Sequence, residues 1–69
     1  MKLNDPIKIK TLLAKEKEWV TVGEIATGLG LHQNTVRKMF RKENVDPETV
    51  RALAHALNKN VVEIAVFVQ

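Results

Sequence analysis

The chain has 69 residues, no cysteine and a formal net charge of +3. At that length it is expected to form one domain, near the lower limit for folding without staples, and disulfides and thiolate metal sites are excluded. The charge suits an anionic partner without identifying one, and the 45% hydrophobic fraction can supply a core.

The first predicted helix runs from about Pro6 to about Lys17. Asp5 is a good N-cap and Pro6 suits the first helical position. Ile9, Leu12, Leu13 and Lys17 fall on one side, a stripe of helical period. Trp19 is expected in the core, closing the gap to the second helix.

The second helix opens on "TVGE". Thr21 and Glu24 have the spacing of a capping box, in which each side chain satisfies a backbone N–H of the other. Val20 and Ile25 are placed to form a hydrophobic staple. Gly28 weakens the helix, and Gly30 is expected to end it in the left-handed conformation.

The third helix is expected from Gln33 to about Lys42, with His32 at the N-cap. Val36, Met39 and Phe40 face inward; Gln33, Asn34, Arg37, Lys38 and Arg41 face outward. "ENVDP" is a linker. Asp46 and Pro47 then start a fourth helix, which runs to about Leu57 with Val50, Leu53, Ala54 and Leu57 inward. Asn58 suits a left-handed stop. The tail "NVVEIAVFVQ" fits either a helix capped by Asn60 or a strand alternating through Val62, Ile64, Val66 and Val68. A short helix to about Ala65 followed by an extended "VFVQ" is the preferred reading.

The stretch "VGEIATGLGLHQNTVRKM" is a helix, a glycine turn and a helix with amides and cations outward. It resembles the phage Cro and lambda-repressor family of DNA-binding domains. In that pattern Ala26 is the small residue at the helix crossing and Gly30 is the turn glycine. Ile25, Leu29, Leu31, Val36 and Met39 match its core positions. "DPETVRALAHALNKNVVEI" resembles the same family's fourth helix and the start of its fifth. The resemblance covers about residues 5 to 65. It implies an all-α, compact five-helix domain spanning residues 1–69, with a helix-turn-helix at about 21–42. Two positions depart from the pattern. Val22 stands where the family often has a phosphate-binding glutamine that braces the third helix. Phe40 stands where it often has a glutamate, and would either extend the core or offer a contact surface.

The major groove of B-DNA admits a helix and is read by arginine, lysine, asparagine and glutamine. Gln33, Asn34, Arg37 and Lys38 are the base-reading candidates, the amides on adenine and the cations on guanine. Thr21, His32, Thr35, Arg41 and Lys42 are candidates for phosphate, contacts that set register without reading sequence. His55 is expected to be solvated.

Catalysis is not expected. Serine, cysteine and tyrosine are absent, and neither paired carboxylates nor a His–carboxylate spacing suggests a site. No cofactor, metal or small-molecule ligand is implied. No apolar run reaches the eighteen or so residues of a membrane span, and the start has no signal-peptide block. The expected setting is cytoplasmic and nucleoid-associated, the chain being bacterial or phage-encoded.

The expected function is that of a transcriptional regulator, a repressor on a double-stranded operator. Such domains commonly bind as two-fold dimers on half-sites about 34 Å apart. Val66, Phe67 and Val68 in tail 66–69 are too apolar to stay in water, and are expected in a homodimer interface. The alternative is a protein-interaction module on the same fold, antitoxin-like or docking on a regulator, for which Phe40 and the tail speak.

Overall fold

The computed structural model describes residues 1–68. The elements, in chain order, are β1 (Lys2–Leu3), α1 (Pro6–Lys17), α2 (Val22–Leu29), α3 (Gln33–Phe40), α4 (Pro47–Ala56), α5 (Val61–Ile64) and β2 (Ala65–Val66). Each helix sends its apolar stripe into one core. Leu13, Ile25, Val36, Met39, Val50 and Leu53 are fully buried there, beside Ile64 of α5 and Leu3 of β1. The fold is all-α, with five helices and a minimal sheet among the described residues.

The helix ends follow from local chemistry. Asp5 caps α1 by accepting from the Lys8 N–H at 3.1 Å. Glu18 ends that helix in the left-handed region (φ 61°), and the Trp19 N–H reaches back to the Leu13 carbonyl. That turn carries Trp19 onto α2, half-buried against the core. Its indole ring lies beside the exposed Gly28, so close that a Cβ added there would collide with it.

Three expectations need correction. First, α3 ends at Phe40 and not near Lys42. Lys42 is left-handed (φ 61°), and the Glu43 N–H bonds the Lys38 carbonyl at 3.0 Å. Neither glycine nor asparagine marks this stop, so the pattern ran on through two good helix formers. Second, Val20 is 66% exposed while Ile25 is fully buried, so the staple covers little of Val20. Third, Asp46 stands at the α4 N-cap position without making a side-chain cap bond.

The tail resolves its ambiguity by using both structures. α5 closes at Ile64, one residue short of the expected end, and Ala65 turns into β2. The Glu63 carboxylate accepts from the Asn60 N–H at 2.7 Å and anchors the short helix. β2 pairs antiparallel with β1, Lys2 opposite Val66 and Leu3 opposite Ala65. On the other side, Met1 exchanges backbone bonds with Val45, and its amino nitrogen also donates to the Asn44 side chain. The first three residues therefore tie the α3–α4 linker to the C-terminal strand. Gln69, the last residue of the expected dimer tail, lies outside the described residues.

Candidate nucleic-acid interface

α2, the turn and α3 form the candidate surface. Thr21 and Glu24 make the capping box: the Glu24 N–H donates to Thr21 Oγ1 at 3.1 Å, and the Thr21 N–H donates to Glu24 Oε1 at 3.0 Å. The same oxygen accepts from the Val20 N–H and the Thr21 hydroxyl, both at 3.2 Å. These bonds favour the ionised carboxyl and lower its pKa, the Thr21 N–H most, then that of Val20, then the hydroxyl.

This part of the α2 cap is therefore in place above the usual carboxylate range. It is lost as pH falls through the lowered pKa of Glu24. Glu24→Gln is expected to remove that acid step while wild type keeps it. Acid titration of the Thr21 and Val20 amide NMR shifts checks this; parallel titration curves in the two proteins would refute it.

Gly30 (φ 69°) ends α2, and the Leu31 N–H closes onto the Ala26 carbonyl at 2.9 Å. Ala26 is buried and borders a recess shared with Gln33 and Arg37 of α3, in line with its expected place at the helix crossing. His32 caps α3, its Nδ1 accepting from the Asn34 N–H at 3.1 Å. In a neutral ring that use of Nδ1 leaves the proton on Nε2, a donor on an exposed side chain.

The four base-reading candidates are all exposed, opposite buried Val36 and Met39. Three of them form one cluster. Arg37 Nη1 donates to Asn34 Oδ1 at 3.0 Å and Nη2 to Gln33 Oε1 at 3.2 Å. Lys38 stands on the far edge of α3, by a recess shared with Thr35, Asn44, Val45, Asp46 and Thr49.

The phosphate candidates are scattered. Thr21 spends its hydroxyl on the Glu24 cap. Thr35 is half-buried and faces the α3–α4 linker. Arg41 pairs with Glu43 at 2.8 Å, and both side chains are largely solvated. Lys42 lies beyond α3, beside Phe40 and the start of α1. Asn44 and Thr49, polar groups in the Lys38 recess, were not among the sequence-based candidates. Their position depends on the α3–α4 linker, which carries no readable period.

Val22 is packed against the core, so the start of α2 has no brace of its own. Gln33 supplies a neighbour from the other helix: its Nε2 lies over Gly23, 3.5 Å from where a methyl group would stand. Phe40 is half-buried and shares a shallow recess with Ile7, which is 79% exposed. Trp19 lies against the core and His55 is exposed. Among the described residues, no helix is long and apolar enough to cross a membrane.

A family model described as helix-turn-helix matches residues 20–64, more than half of the chain. No curated protein and no solved structure gives a significant match. The matched span begins beside the cap of α2 and closes with α5, the same elements that frame the polar face of α3. The chain belongs to the Cro and lambda-repressor-like helix-turn-helix family of DNA-binding regulators.

Proposed function

We propose that residues 1–69 act as a single sequence-specific DNA-binding domain, with α3 in the major groove of an operator. The observation that carries this reading is the exposed set Gln33, Asn34, Arg37 and Lys38 on one face of a helix whose other face is core. His32, Thr35, Arg41 and Lys42, scattered around the ends and edges of α3, are assigned to phosphate, with Thr21 contributing through the exposed N-terminus of α2. The output is repression, because a domain seated on an operator excludes polymerase by volume alone. The setting is the cytoplasm of a bacterium or of a phage-carrying cell.

The domain works as a homodimer. Val66, Phe67 and Val68 are 52%, 73% and 42% exposed, and β2 pairs only with β1 among the described residues. A second copy related by a two-fold axis can cover the apolar side chains and extend the sheet.

Selection from a random duplex pool tests the reading, with an enriched short motif as the expected result. On that motif Lys42→Gly is expected to weaken binding evenly across sequences and to lower the salt slope by about one. Glycine is the substitution of choice because it keeps the left-handed turn while removing the charge. A change in sequence preference would move Lys42 from the anchors to the readers.

A second reading, a protein-interaction module, draws on the recess of Phe40 and Ile7. A pool that enriches no motif would favour it.

A further inference from the structure

The cluster on α3 restricts what the helix can read. Gln33 and Asn34 each turn the carbonyl oxygen onto Arg37. Both amide oxygens are thereby engaged, and the Gln33 Nε2 lies over Gly23 of α2. Arg37 has five N–H donors, and two of them hold the amides. Lys38 adds an ammonium, which only donates. The groups left to meet a base edge, the guanidinium and the ammonium, therefore only donate.

Base edges differ in how they meet such donors. Guanine offers two acceptors side by side, N7 and O6, and thymine offers O4. Adenine pairs its N7 with an N6 amino donor, and cytosine offers only the N4 donor. An amide reads adenine by laying its oxygen and nitrogen together on N6 and N7. Here Arg37 lies between the two amides and is bonded to both. Each oxygen keeps a second lone pair, but an adenine N6 that approached it would also meet the cationic donor. Guanine in the same place satisfies Arg37 and leaves the amide pairs intact.

We propose that the half-site read by α3 is centred on guanine, with thymine as the neighbour its remaining donors tolerate, and that Gln33 and Asn34 orient Arg37 and do not read adenine. This rests on the proposed function above and replaces the sequence-based assignment of both amides to adenine. The i to i+3 and i to i+4 spacings hold the guanidinium ready before DNA arrives. Gln33 and Asn34 are thus positioning residues for Arg37.

The experiment is selection from a random duplex pool by the full chain and by Arg37→Ala, followed by titration of single-site duplexes. Arg37 is exposed, so its loss leaves the core intact, and a thermal melt confirms that. The wild-type motif is expected to be centred on guanine. Changing that guanine to adenine should weaken binding by about 5- to 150-fold, the discrimination of one bidentate pair. Replacing it with 7-deazaguanine, which lacks the N7 acceptor, should also weaken binding. Arg37→Ala frees both amides, and its motif is expected to shift toward adenine at the same place. A wild-type motif centred on adenine, or one that Arg37→Ala leaves unchanged, overturns the inference while sequence-specific binding stands. A pool in which nothing is enriched overturns the binding reading itself, and this inference with it.

Discussion

Gly28→Ala is expected to destabilise the protein by up to about 2 kcal/mol, the usual cost of about 1–3 kcal/mol for forcing extra volume into packed structure less about 1 kcal/mol of helix propensity. Helix propensity argues for the opposite sign. Glycine inside a helix is about 1 kcal/mol worse than alanine, so α2 considered alone would gain. The third dimension reverses this. Atoms Cζ2, Cε2 and Cη2 of Trp19 occupy the place an added Cβ would take, closer than van der Waals contact allows. The indole would have to leave, and with it goes the packing that joins the end of α1 to α2. Chemical denaturation measures the loss of stability. Trp19 is the sole tryptophan, so its fluorescence reports the same event as a red shift. In a Trp19→Leu background the clash is gone, and Gly28→Ala is expected to become neutral or stabilising. A stabilised Gly28→Ala in wild type would mean that the ring yields without cost and that its packing on Gly28 is incidental.

The same pair of residues marks a boundary in what the sequence could convey. Asp5 with Pro6, and Thr21 with Glu24, act through neighbours a few positions away. Their helix starts were readable for that reason. Val36 and Met39 against Arg37 and Lys38 were readable from period alone. The contact of Trp19 with Gly28 depends on how two helices meet, and glycine gave only its local meaning. β1 was unreadable for a related reason. Two residues, Lys2 and Leu3, are too short to alternate, and their partners lie at the other end of the chain. At the candidate interface, the exposure of Gln33, Asn34, Arg37 and Lys38 followed from spacing. The bonds from Arg37 to Asn34 and Gln33 also have helical spacing, yet side-chain rotamers, invisible to period, decide whether they form. Lys42 shows the reverse case, a left-handed stop in a residue that favours helix.

Phe67→Asp is expected to convert the proposed dimer to a monomer and to lower affinity for a two-half-site operator by about 100-fold or more, since the second half-site is then no longer held at high effective concentration. Phe67 is the suitable position because it lies one residue beyond the β1–β2 register and is 73% exposed. Val66 faces Lys2 in that register, so changing it, or truncating the chain at Ala65, would disturb the sheet as well as the surface. In a two-fold interface one substitution acts twice, and two carboxylates would replace two apolar rings near the axis. The loss should therefore appear in association and not in the folded protomer. Sedimentation equilibrium should show wild type as the proposed dimer and the variant as a monomer. Its thermal melt at low concentration should match that of the dissociated wild type. On a duplex with a single half-site the two proteins should bind alike, because α3 is unchanged and Phe67 lies outside the α2–α3 unit. If Phe67→Asp remains a dimer, or loses single-half-site binding to the same extent, the tail is not the dimer contact. The apolar strand would then need another partner.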